Sequence, residues 1–302
     1  MKRIRQLLEL IRFSHTLFAM PFALWSAVMA WTTPGPAGAP PAFRWRDLVG
    51  IVLCMVTARS AAMAFNRWAD RRLDAANPRT AGRHLPAGIL DERSVVLFTI
   101  AMAAGFLAST LLFLPNYLPL LLAPLVLLFL LVYSYTKRFT MWCHFWLGAS
   151  LMLAPVSAWI AVRGLFLWEA PSDLAPALLL GLAVLTWVAG FDIIYACQDI
   201  EFDRRARLYS IPALMGARGA LRLAAACHAA TLLLLALLPQ SFPQLGLAHI
   251  YNVALASVAV LLVIEHWLVK PDDLSRVNVA FFHVNVAVSI ALFLAGSIDV
   301  LT

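Results

Sequence analysis

Leu174-Ala-Pro-Ala-Leu-Leu-Leu-Gly-Leu-Ala-Val-Leu-Thr-Trp-Val-Ala-Gly-Phe-Asp192-Ile-Ile-Tyr195-Ala-Cys-Gln-Asp199-Ile-Glu-Phe-Asp203 is the stretch from which the fold follows. Residues 174–191 carry no charge, and an apolar run of about twenty residues is what a helix needs to cross the hydrocarbon core of a bilayer. Acids then arrive at spacings of seven and four, with Tyr195 between them, so that Asp192, Tyr195, Asp199 and Asp203 share one helical face. Asp192 falls inside the span, where a lone carboxylate is costly and a candidate for function.

Outward from this stretch the pattern repeats. Comparable apolar runs lie at 13–31, 48–69, 94–114, 116–133, 142–162, 174–195, 219–238, 247–267 and 278–298, with the third and fourth divided around Pro115-Asn116. The chain is 62% hydrophobic, with only 16 acidic residues among 302, which no soluble domain of this length accommodates. The expectation is an all-α polytopic membrane protein of about nine helices, organised as a single transmembrane domain over 1–302. The apolar run after the basic start could pass for a signal peptide, but it is span-length and eight more follow, so we read it as an uncleaved first helix.

Basic residues orient the spans. Lys2, Arg3, Arg5 and Arg12 precede the first, six arginines between Arg67 and Arg93 follow the second, and Lys137 and Arg138 follow the fourth. Arg204, Arg205, Arg207, Arg218 and Arg222 follow the sixth, whereas the alternate side holds only Arg44, Arg46 and Arg163. The positive-inside rule then predicts a cytoplasmic N-terminus and an external C-terminus. The net charge of +7 is explained by topology and anionic lipid, without a nucleic-acid partner. Cys54, Cys143, Cys197 and Cys227 are isolated, with no metal or disulfide spacing.

A second acidic set closes the second span: Asn66-Arg-Trp-Ala-Asp70-Arg71-Arg-Leu-Asp74, followed by Asn77-Pro-Arg79-Thr80-Ala-Gly-Arg83-His84-Leu-Pro86. It lies four crossings from Asp199 and Asp203, hence on the same side. Asn66, Asp70, Asp74, Asp199 and Asp203 offer oxygen ligands one helical turn apart. Such ligands suit a hard divalent cation, and Mg²⁺ typically joins one or two carboxylates to a substrate phosphate. Arg59, seven residues before Asn66, belongs to the same face but deeper, where a guanidinium requires a polar cavity or a partner. Tyr133-Ser-Tyr135-Thr-Lys137-Arg138-Phe-Thr140 places two cations on the side of both acidic sets. Each element has a plainer reading as a solvated helix end, a structural ion pair or an aromatic belt. Their joint occurrence on one side favours a site that handles a diphosphate.

These motifs resemble the UbiA family of intramembrane prenyltransferases: Asn66 to Asp74 with its downstream Arg-Thr-Ala-x-Arg-x-Leu-Pro-x-Gly, Asp192-x-x-Tyr-Ala-x-x-Asp-x-x-x-Asp203, Tyr-x-x-x-Lys-Arg-x-Thr140, and the Arg59 position. The resemblance implies nine helices in a ring around a central cavity, a cytoplasmic cap, residence in the bacterial inner membrane, and Mg²⁺-dependent transfer of a polyprenyl chain from polyprenyl diphosphate to an aromatic acceptor. Within the family the motifs are most similar to the branch that prenylates 4-hydroxybenzoate in quinone biosynthesis and to its menaquinone-pathway relatives. Phe13-Ser14-His15-Thr16 departs from the Asp-Lys-Pro-like segment of the ubiquinone type, and with Asn77-Pro-Arg79-Thr80 it looks more like the futalosine route. The acceptor therefore stays open between a 4-hydroxybenzoate-type and a naphthoate- or futalosine-type ring.

Charge then assigns expected roles. A diphosphate and four aspartates crowd negative charge that two Mg²⁺ with Arg71, Lys137 and Arg138 would balance. Phe65 or Tyr195 would shelter an allylic cation. Arg59 would grip an acceptor carboxylate, and Asp192 would orient the acceptor or take its ring proton. A cation-coupled transporter and a non-catalytic quinone-binding protein are the rivals from other classes. Neither explains repeated Asp-x-x-x-Asp beside a basic cluster.

Overall fold

In lipid every backbone polar group needs an internal partner, and leucine- and alanine-rich spans meet that need as helices. The computed structural model describes residues 6–7, 9–11, 18–277 and 280–302. The expectations on Phe13, Ser14, His15, Thr16 and the basic residues Lys2, Arg3, Arg5 and Arg12 thus lie outside the described residues. The order is α1 (Met20–Thr32), α2 (Trp45–Ala69), α3 (Arg71–Ala76), α4 (Glu92–Ser109), α5 (Leu118–Thr136), α6 (Cys143–Arg163), α7 (Ala175–Ala196), α8 (Ile200–Arg205), α9 (Ile211–Ser241), α10 (His249–Leu268) and α11 (Asn285–Leu301). No β-strand occurs among the described residues.

Eight helices among the described residues are long and apolar enough to cross a membrane, where nine spans were expected. The difference is the first. Span 13–31 begins outside the described residues, and the 13 residues of α1 alone fall short of bilayer thickness. The Pro115-Asn116 division holds: α4 tightens into a 3₁₀ turn at Thr110–Phe113 and α5 starts at Leu118. The span expected at 219–238 is longer, Ile211–Ser241. The Ser210 side chain caps its start by accepting from the Ala213 N–H, and Gly216, at φ +70°, kinks it before the apolar part begins. That left-handed backbone is accessible to glycine without a Cβ penalty.

Neighbour packs on neighbour around the bundle: α2 with α4 and α5, α5 with α6, α6 with α7, α7 with α9, then α10, α11 and α1. Helix α1 also leans on α6, where Ser26 donates to the Pro155 carbonyl at 2.7 Å. The α6–α7 approach is close, because a Cβ on Gly148 would stand 2.4 Å from the Leu185 carbonyl oxygen. Trp25, Trp159, Trp187 and Tyr251 fill the core shared by α1, α6, α7, α9, α10 and α11. Helices α2, α5 and α7 all end, and α4, α6 and α9 begin, at the end of the bundle that carries both acidic sets.

Candidate active site at one end of the bundle

The first acidic set is not one uninterrupted helix. Helix α2 stops at Ala69, Asp70 sits at the junction, and α3 follows. The hydrogen-bond ladder nevertheless continues through the break, from the Asp70 N–H to the Asn66 carbonyl at 2.9 Å and from the Asp74 N–H to the Asp70 carbonyl at 2.8 Å. Helix α7 likewise ends at Ala196, and a 3₁₀ turn at Cys197–Asp199 precedes α8. The single face predicted from Asp192 to Asp203 is therefore broken at that turn, and the three acids find three different partners.

Each of the four terminal aspartates is met by a base. Arg138 donates to Asp70 Oδ1 at 3.0 Å while Asn66 donates to Oδ2 at 3.0 Å. Arg83 donates to Asp74 Oδ1 at 2.6 Å, and Asp74 Oδ2 is buried with no hydrogen-bond partner among the described residues. Arg79 holds both oxygens of Asp199, at 2.8 and 2.5 Å, and Asn77 adds a third donor at 3.1 Å. Lys137 lies 3.4 Å from Asp203, which also accepts from Ser210 at 2.8 Å. The Arg79–Asp199 contact ties the connection after α2 to the connection after α7, and Arg138 and Lys137 tie the end of α5 to both. The two acidic sets thus meet at one end of the bundle.

Burial raises the Asp70 carboxyl above its ordinary range, with the Arg138 hydrogen bond and charge opposing it. Burial works against the charge of Arg79, but its bonds to Asp199 outweigh that and hold it above the usual value. Lys137 is raised in the same way, burial being outweighed by Asp203 and, further out, by Cys143, Asp192 and Asp199. Lys137 therefore sits in the field of the whole second set.

The expected residues distribute unevenly. Asn66, Asp70, Asp74, Asp199, Asp203, Lys137, Arg138 and Tyr195 come together, the Tyr195 hydroxyl accepting from Arg79 at 3.2 Å. Arg71, expected beside the diphosphate, is elsewhere. It pairs with Glu92 at 2.8 Å, donates to the Trp68 carbonyl and lies over the Trp68 ring. The reason is its place on the helix: one residue past Asp70, it is turned about 100° from the face that Asn66, Asp70 and Asp74 share. Phe65 packs against Trp68 and Tyr135. Arg79, Arg83 and Asn77 were not among the expected site residues, although they stand in the polar tract after Asp74. Asp192 meets a residue that no motif marked, His144, at 2.6 Å.

Below this polar end lies an apolar cavity of about 330 Å³ between α2, α4, α5 and α6, with Ala19 ahead of α1 at its wall. Asn66, Arg59 and Tyr133 line it, as do Ile51, Phe113 and Leu151 further along. Arg59 reaches this cavity, and no hydrogen bond or ion pair engages it among the described residues.

The donors are all oxygen, and no three His, Cys, Asp or Glu side chains converge on a metal position among the described residues. Such a set does not fit a closed protein cage. It fits Mg²⁺, which is held by one or two carboxylates and completes its shell with phosphate and water. The orphaned Asp74 oxygen is a donor waiting for such a partner.

An all-helical membrane protein that gathers acidic helix ends over an apolar cavity defines a class of intramembrane enzyme. The model of the UbiA prenyltransferase family matches residues 19–286, and the chain belongs to that family. It is a prenyltransferase and an integral membrane protein. The 4-hydroxybenzoate octaprenyltransferase of Pseudomonas aeruginosa (strain UCBPP-PA14) is 31% identical over 255 residues, covering 84% of this chain and 81% of that protein. That of Aliivibrio fischeri (strain MJ11) is 29% identical over 263 residues, 85% of each chain. The apo structure of a UbiA homolog from Aeropyrum pernix K1 matches with a TM-score of 0.80 at 34% identity, over 94% of this chain and 98% of that one. A UbiA homolog from Archaeoglobus fulgidus bound to GPP and Mg²⁺ shares the fold, with a TM-score of 0.68 at 20% identity over 98% and 100% of the two chains.

Proposed function

We propose that this enzyme transfers a polyprenyl chain from polyprenyl diphosphate to a carboxylate-bearing aromatic acceptor of the 4-hydroxybenzoate type, in quinone biosynthesis, at the cytoplasmic face of a bacterial inner membrane. The observation that carries this reading is Arg59, without a partner among the described residues, in an apolar cavity beneath four paired aspartates. The relatives named 4-hydroxybenzoate octaprenyltransferase support the acceptor class, and the basic-residue asymmetry supports the orientation.

Asn66, Asp70, Asp74, Asp199 and Asp203 would hold Mg²⁺, which when bound neutralises the diphosphate and stabilises its departure. Around it Arg79, Arg83, Lys137 and Arg138 exchange aspartate partners for phosphate oxygens, and they stabilise charge as the allylic C–O bond breaks. The apolar cavity takes the isoprenoid tail and keeps water from the reacting carbon. Arg59 grips the acceptor carboxylate with its planar fork. Asp192 takes the ring proton released when the new C–C bond forms.

A naphthoate- or futalosine-type acceptor is the second reading, favoured by Phe13-Ser14-His15-Thr16. A panel of aromatic acids offered with one polyprenyl diphosphate tests both. The first reading expects a prenylated 4-hydroxybenzoate, the second a prenylated naphthoate alone. No prenylated carboxylic acid at all would overturn the acceptor class.

A further inference from the structure

His144 is the second residue of α6, and its side chain has no solvent exposure. Its Nδ1 lies 2.6 Å from Asp192 Oδ2 across the α6–α7 contact. Its other ring nitrogen, Nε2, is buried with no hydrogen-bond partner. Nδ1 is therefore the ring nitrogen that meets the carboxylate, and with its proton there the ring donates to Asp192 whether it is imidazole or imidazolium.

The Asp192 side chain is 16% exposed, unlike its partner. Tyr133, which lines the apolar cavity, stands close enough to feel the charges of both Asp192 and Asp70. Asp192 is not among the residues that line the cavity, but it lies within electrostatic reach of Tyr133, which does line it. The charged and titratable groups gathered there are Arg67 of α2 and Asp70 just beyond it, Tyr133 of α5 and Lys137 just beyond it, Cys143 beside His144 on α6, and Asp199 after α7. Of these, His144 is the one hydrogen-bonded to the carboxylate.

We propose that His144 is the positioning residue for Asp192: its Nδ1–H fixes Oδ2 and leaves Oδ1 to accept the ring proton of the acceptor. This rests on the reading of Asp192 as the base. In that step the ring carbon bonds the prenyl carbon and its C–H bond breaks. The electron pair returns to the ring, and the proton moves to Oδ1 and then to water at the mouth. Without that hydrogen bond the carboxylate can rotate, and Oδ1 is no longer held toward the acceptor ring.

The test compares steady-state kinetics of His144→Asn, His144→Leu and Asp192→Asn. Asn places an amide N–H at the same number of bonds from the backbone as Nδ1, whereas Leu has no donor. Losing the hydrogen bond that orients the carboxylate, H144L should lower kcat between about tenfold and about a hundredfold. The KM for polyprenyl diphosphate should change by less than about twofold. H144N should recover most of kcat. H144L should cost nothing further in the D192N background. If H144L does not fold, H144A replaces it in every arm. Normal H144L with inactive D192N would overturn the proposal alone. So would equal impairment of the Asn and Leu variants. Normal D192N would instead remove the base assignment, and this inference with it.

Discussion

Arg59 and Arg79 carry the same charge and do different things, and the difference lies in what meets them. Arg59 has the cavity and no protein partner among the described residues, so its guanidinium is available to an acceptor carboxylate. Arg59→Lys keeps the charge and loses the fork. It should raise the acceptor KM while leaving the KM for polyprenyl diphosphate nearly unchanged. An equal loss for both substrates would place Arg59 at the diphosphate instead. Arg79 is bidentate on Asp199 at the polar end, and Arg71 faces Glu92, a carboxylate 56% exposed. Surface pairs of the latter kind contribute about 0–1 kcal/mol. Arg79→Gln should therefore raise the KM for polyprenyl diphosphate by about tenfold or more, the loss of one charge-assisted contact. Arg71→Gln should leave it within error. The reverse ranking would restore Arg71 to the site.

At the scale of helices and connections, what was readable depended on sequence distance. Asn66, Asp70 and Asp74 could be grouped because helical spacing relates residues a turn apart. Nothing local relates residue 79 to 199, or 144 to 192. These contacts exist only because the ends of α2 and α7 and the start of α6 lie beside one another, and so Arg79 and His144 were missed. The opposite end of the bundle shows the same limit. Arg163, read from sequence only as an external charge, is fully buried and held by Asp173, with bonds to the carbonyls of Ala30, Thr33 and Pro34. It fastens the end of α1 and the start of α7 to α6. Arg163→Met leaves Asp173 without its partner and should destabilise the protein by about 3–5 kcal/mol. Thermal unfolding in detergent would report it as a lowered midpoint. An unchanged midpoint would mean that this end of the bundle does not depend on the pair.

For the whole molecule, composition was enough to establish membrane helices, and the even number of crossings between the acidic sets was enough to put them at one end. The count was less secure, since eight qualifying helices stand among the described residues and the first expected span is only partly described. The basic residues predict the orientation. With the four native thiols replaced, Gly82→Cys in the connection after α3 should react with an impermeant maleimide from the cytoplasm only. Ala39→Cys, between α1 and α2, should react from outside only. Labelling of both from one side would overturn the topology and the cytoplasmic placement of the site.

The meeting of the two acidic sets around a metal-bound diphosphate is tested most directly by diphosphate release from purified enzyme in lipid nanodiscs. Polyprenyl diphosphate and acceptor are supplied, EDTA is added, and Mg²⁺ is then restored. Release should fall to background with chelator and return with Mg²⁺. Asp70→Asn and Asp199→Asn, each inserted and folded, should lose on the order of a hundredfold or more in turnover. Release indifferent to EDTA, or near-normal turnover in either variant, would contradict a site shared by both sets.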